Sequence, residues 1–223
     1  MLNLTHRDSD AQPQPLVPGQ WYRVRIPLCG VAQRLEPGHR LRLALSTTYW
    51  PIAWPSPVPA KVTVRCGSSL LRLPRRVVDA AQEPVLAPFG EPEGSAPGAL
   101  EEIRPRNTAR SLDHLEELIG EGRVDLRRTR DRGAWRTVDT DEEYDTTGEM
   151  RFSIQADDPL SAEQEINLQT TMGRPGWHIR TEAQTVLRCN ADTYLVEASL
   201  AAWDGEEQVF HRRWEQRIPR DQQ

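Results

Sequence analysis

Over residues 1–78 apolar and polar positions alternate with a period of two. Tyr22, Val24, Ile26 and Leu28 share one face, with Arg23 and Arg25 on the other. Leu41, Leu43 and Leu45 repeat the pattern against Arg40, Arg42 and Ala44, and Val62, Val64 and Cys66 do so against Lys61, Thr63 and Arg65. Leu71 and Leu73 close the series. Turn signals at Pro18-Gly19, Pro37-Gly38 and Cys66-Gly67 separate these runs. A period of two puts alternate side chains on opposite faces, so each run predicts a strand with one buried and one wet face, as in a β-sandwich.

The pattern collapses over residues 79–106, where Pro84, Pro88, Pro92, Pro97 and Pro105 alternate with Gly90, Gly94 and Gly98. That composition predicts a linker. Ser111 then precedes Leu112, Leu115 and Leu118, with Gly120 as a stop, which predicts a short helix over 111–119. The remainder of 107–223 reads as an antiparallel meander. Val124 and Leu126 start it; Met150, Phe152 and Ile154 follow; Ile166, Leu168, Thr170 and Met172 lead to a turn at Arg174-Pro175-Gly176. Trp177 to Leu187, then Tyr194, Val196, Ala198 and Leu200, run on to Asp204-Gly205, a strong two-residue hairpin signal. Phe210, Trp214 and Ile218 mark a last strand. The fold class is therefore mainly β with at most one or two short helices.

Composition narrows the function. The 223 residues carry a net charge of −5 and 37% hydrophobic residues. An acidic balance supplies no basic footprint for nucleic acid. No apolar run is long enough for a membrane helix, and no signal-peptide pattern opens the chain. Cys29, Cys66 and Cys189 are odd in number and far apart. That spacing fits reduced thiols in a cytoplasmic protein better than a disulfide framework or a zinc site.

Candidate chemistry is sparse. No G-x-S-x-G elbow exists to present a nucleophilic serine. His6, His39, His114, His178 and His211 are scattered without ligand spacing. Asp139, Asp141, Glu143 and Asp145 imitate the start of a calcium loop, but Tyr144 occupies its glycine position, so a solvated acidic turn is expected and no metal or other cofactor. One segment, Ser46 to Pro57, stands out. It sets Tyr49, Trp50 and Trp54 among Pro51, Pro55 and Pro57. Rigid aromatic loops suit a sugar platform or a docking surface, and they equally suit a plug for the end of a sandwich.

Several of these stretches, taken in order, carry a resemblance. Leu2 to Arg7, Leu16 to Gly19, Tyr22 to Leu28, Pro37 to Ser46 and the Trp50-Pro51 loop resemble the C-terminal region of CocE/NonD-type serine hydrolases, as do Ala156 to Ala162 and Arg217 to Asp221. That family includes cocaine esterase, X-Pro dipeptidyl-peptidases and acyl esterases. The resemblance implies a galactose-binding-like jelly roll, here partial and spanning 1–78, followed by an appended antiparallel sheet. It places the family's catalytic triad in an α/β-hydrolase domain upstream or on a separate chain, so the chain is expected to be inactive alone. The family's jelly roll begins before the position matching Leu2, so this chain is expected to start partway through it and to self-associate over the gap. Its implied role is an accessory domain that packs on the catalytic domain and bounds the substrate cleft. A free-standing jelly-roll binding module, with a carbohydrate or other ligand at Tyr49, Trp50 and Trp54, is the alternative.

Overall fold

The computed structural model describes residues 2–77, 89–94, 98–106, 114–120 and 122–222. Its centre is one antiparallel sheet. The strands are β1 (Leu100–Arg104), β2 (His114–Gly120), β3 (Arg123–Thr137), β4 (Glu142–Gln155), β5 (Asp158–Arg174), β6 (Trp177–Cys189), β7 (Thr193–Asp204) and β8 (Glu207–Pro219). From β3 to β8 each strand pairs with the next, and β1 and β2 both lie along β3.

Tight turns explain why so many long strands stay adjacent. Pro175-Gly176 joins β5 to β6 between the paired Arg174 and Trp177, with Gly176 at φ 81. Pro at the first central position and a left-handed Gly at the second suit a type II turn. Gly205, at φ 57, opens the two-residue link between Asp204 and Glu207. In the β6–β7 loop the Asn190 carboxamide oxygen accepts from the Asp192 and Thr193 amides at 3.0 and 2.7 Å. These local connections need no crossover helix.

The register sorts the side chains into two unlike faces. Met150, Ile166, Thr185, Ala198 and Trp214 lie in one cross-strand row, and Phe152, Gln164, Leu187, Val196 and Gln216 in the next. The opposite face is charged: Arg127 pairs with Glu149 at 2.7 Å, Arg188 with Glu163 at 2.6 Å, and Arg151 with Asp125 at 3.6 Å. One apolar and one charged face is the pattern of a sheet built to be covered on a single side.

Near the β3–β4 hairpin, β3 is interrupted between Asp131 and Ala134. Gly133 sits there at φ 78, and a Cβ on it would come within 2.6 Å of the Arg104 carbonyl oxygen. Arg104 closes the gap. Its guanidinium reaches Asp131 at 2.9 Å and Asp145 at 2.8 Å, while the Asp131 carboxylate also accepts from the Gly133 amide at 3.0 Å. The bonds to Asp131, then to Asp145, make this guanidinium hold its proton even more tightly than usual.

Two local expectations are corrected. The helix expected over 111–119 is replaced, over its described part, by β2, which pairs with β3 from His114↔Thr129 to Gly120↔Arg123. The three-residue leucine spacing is a weak local preference, and a seven-pair ladder beside a long strand outweighs it. Ser111 and Leu112 lie outside the described residues. The stretch expected as linker contains β1, whose Leu100 to Arg104 pair with Thr137 to Ala134.

The N-terminal part differs in another way. Tyr22 to Leu28, Leu41 to Leu45 and Val62 to Cys66 carry no strand, and their described regular structure is limited to 3-10 turns at Leu4–His6 and Cys66–Ser68. Leu41, Leu43 and Leu45 are more than half exposed. An alternating segment becomes a strand only when a neighbour takes its backbone groups and a second layer takes its apolar face. Among the described residues neither is supplied.

The total accessible surface is 18415 Å² for 25.4 kDa. A compact monomer of that mass exposes about 10,000 Å². Among described residues the buried hydrophobic side chains are only Leu126 and Ala162.

Candidate functional site

Apart from Gly133 and Gly173, the buried described residues gather at one end of the sheet, where the aromatic loop lands. The loop is a compact turn: the Ala53 amide donates to the Tyr49 carbonyl at 2.9 Å, and the Ser46 hydroxyl donates to the Thr48 carbonyl at 2.6 Å. It lays its two indoles on the apolar face. Trp50 and Trp54 meet edge to face, with centroids 5.0 Å apart and planes at 82°. Trp50 then meets Phe152 of β4 at 6.3 Å, and Trp54 meets Tyr194 of β7 at 5.8 Å, both nearly perpendicular. Such T-shaped contacts place ring edges on ring faces, the favourable arrangement for aromatic quadrupoles.

Polar contacts fix the same loop. Trp54 Nε1–H donates to Cys189 Sγ at 3.2 Å. Arg220, just past β8, is 2% exposed and donates through Nη2 to the Pro55 carbonyl at 2.6 Å and through Nη1 to the Asn190 carbonyl at 3.2 Å. Its guanidinium also lies 4.8 Å from the Tyr194 ring centroid. Burial raises the Tyr194 phenol above its ordinary value, and the charge of Arg220 opposes that rise. Trp50 Nε1 is buried without a hydrogen-bond partner among the described residues. The extreme N-terminal residues join in: the Thr5 hydroxyl donates to the Gln222 carbonyl at 2.6 Å, and His6 Nε2 lies 3.1 Å from the Asp221 carbonyl.

The candidate residues thus part company. Trp50 and Trp54 are half-buried and nearly perpendicular, so they form no flat platform; Tyr49 is 59% exposed and outside the ring contacts that Trp50 and Trp54 make. Phe152, Cys189, Tyr194 and Arg220 complete the arrangement, and sequence reasoning had not joined them to the loop. Arg220 and Tyr194 are distant in sequence from Pro55 and Trp54, and no spacing rule links them. Cys189, expected as a reduced thiol, here also accepts a hydrogen bond.

Two carboxylates of the acidic turn are held by arginines. Glu143 accepts from Arg136 Nε at 3.0 Å, and Asp145 belongs to the Arg104 cluster. An open hollow of about 820 Å³ lies beside that turn, lined by Arg136, Glu143, Gly173, Arg174, Trp177 and His178. It sits at the opposite end of the sheet from the aromatic loop and brings together no nucleophile and base. Among the described residues no helix is long and apolar enough to cross a membrane.

Residues 1–85 match the family model of the X-Pro dipeptidyl-peptidase C-terminal non-catalytic domain. The matched stretch carries the whole aromatic loop and the alternating segments before it. No curated protein and no solved structure matches the chain.

Proposed function

We propose that this chain is the C-terminal accessory part of a CocE/NonD-type serine hydrolase, packing on an α/β-hydrolase catalytic domain and bounding its substrate cleft. The observation that carries the reading is the match of residues 1–85 to the X-Pro dipeptidyl-peptidase C-terminal non-catalytic domain. The surface points the same way. An excess of several thousand Å² over a compact monomer exceeds a standard protein–protein interface of about 1,600 Å² several-fold, which suits a piece embedded against a large neighbour. The aromatic loop is then an internal anchor. It fastens the matched segment to the sheet through Trp50, Trp54 and Arg220, leaving Tyr49 as its exposed side chain.

The DNA preceding the coding region tests the pairing with a catalytic domain, and hydrogen exchange tests the packing. An upstream frame encoding G-x-S-x-G is expected. In the joined protein the amides of Ile166, Leu168, Ala198 and Leu200 should exchange at least about tenfold more slowly than in the 223-residue chain. An upstream stop codon, or equal exchange in both proteins, overturns the reading.

A further inference from the structure

The two long edges of the sheet are treated differently. Along β3 the outer side is taken by β2 over Arg123 to Thr129 and by β1 over Ala134 to Thr137. Along β8 nothing among the described residues pairs on the outer side. A bare thirteen-residue edge presents a row of free amides and carbonyls, a ready template for another strand.

The charges on β8 restrict which strand that can be. Arg213 lies across from Ser199 of β7, and Glu215 lies across from Glu197, a like-charged neighbour. Neither Arg213 nor Glu215 has an ion pair or hydrogen bond with a described residue, whereas Glu197 has Arg188 at 3.5 Å. A directly opposed pair of like charges is destabilising. Glu215 therefore wants a cation on its open side, and Arg213, two residues away on the same face, wants an anion.

We infer that β8 pairs antiparallel with β8 of a second copy, about a two-fold axis at Trp214. Antiparallel pairing keeps each residue on its own face, so the registers open to a self-pair differ by whole two-residue steps. Centring on Trp214 sets Arg213 against the partner's Glu215 and Glu215 against the partner's Arg213. On the apolar face the same register sets Trp214 against its own copy and Phe210 against the partner's Ile218, twice. Centring on Arg213 opposes two arginines, and centring on Glu215 opposes two glutamates. Centring on Arg212 again opposes two arginines and turns Glu215 toward Val209. In the Trp214 register only His211 facing the partner's Arg217 gains nothing. The pairing is isologous, so it closes as a dimer and does not propagate through this edge. It also continues the sheet with the apolar faces of both copies on one side, leaving them available to other partners.

Sedimentation velocity on the full chain across the micromolar range, with a cysteine-pair readout, tests the arrangement. In a chain with Cys29, Cys66 and Cys189 changed to Ser, Trp214→Cys should close an interchain disulfide under mild oxidation, because directly opposed Cβ atoms lie about 5 Å apart. Arg212→Cys, facing the partner's Gln216, should not. Arg213→Glu should weaken dimerisation at least about tenfold, and the double change Arg213→Glu with Glu215→Arg should restore it. Circular dichroism of the double variant reports that the sheet is intact. A monomer throughout, association indifferent to Arg213→Glu, or equal crosslinking at positions 212 and 214 overturns the pairing.

Discussion

Arg220→Ala tests whether the aromatic loop and the sheet form one unit. Arg220 is 2% exposed, and its guanidinium bridges the carbonyls of Pro55 and Asn190 across 165 and 30 residues of sequence. A hydrogen bond from a charged donor is worth about 1.5–3 kcal/mol, and the cation–π contact with Tyr194 adds roughly 0.5–1 kcal/mol. Because the two acceptors also lose a partner, a destabilisation of about 3 kcal/mol is expected. Urea unfolding followed by tryptophan fluorescence should show the midpoint falling by about 1.5 M at a slope near 2 kcal/mol/M. Limited proteolysis should show residues 1–77 cut first while β3 to β8 stay protected. Arg220→Lys keeps the charge but loses the planar fork, so it should recover less than half of the loss. A change within about 0.5 kcal/mol, the level of an ordinary surface substitution, would show that the loop rests on the sheet without being held there.

Gly133→Ala should destabilise more than Gly205→Ala. Both positions have positive φ, which costs a residue with a Cβ about 1–2 kcal/mol, but only at Gly133 would that atom meet a backbone carbonyl, at 2.6 Å; equal chemical-denaturation midpoints would refute the account. Tyr194 should ionise above the ordinary tyrosine value on titration at 295 nm, read as the difference between the protein and its Tyr194→Phe variant, because burial raises it. Its packing contribution is then complete below about pH 10 and fades as pH rises through the folded-state value. Tyr194→Phe should remove that alkaline loosening, and a difference titration placing Tyr194 at or below the ordinary tyrosine value would contradict it.

The meander was legible because its signals are local. The alternation at Met150 to Ile154 and Ile166 to Met172, with turns at Pro175-Gly176 and Asp204-Gly205, fixes strand positions without knowledge of anything distant. β2 was not legible, since its leucine spacing favours a helix and only the long flank of β3 makes a ladder worth more. Tyr22 to Leu28 shows the converse failure. Its pattern is a strand's, yet pattern supplies neither a neighbour nor a covering layer, and the segment stays unpaired. The aromatic loop was conspicuous by composition, but its role was hidden. Arg220, the residue that clasps it, lies at the far end of the chain.

That clasp has a consequence for synthesis. The contacts of Thr5 with Gln222, His6 with Asp221 and Pro55 with Arg220 join residues made far apart in time. A ribosome covers the residues it has just joined, so Arg220, Asp221 and Gln222 are still covered when the matched segment has long emerged. The hairpins from β3 to β7 can assemble one after another behind it, each closing a short loop. The matched segment cannot be clasped until Arg220 has emerged. Until then its exposed leucines and indoles wait in an open state, so chaperone dependence should rise with the time taken to translate the residues between the matched segment and Arg220.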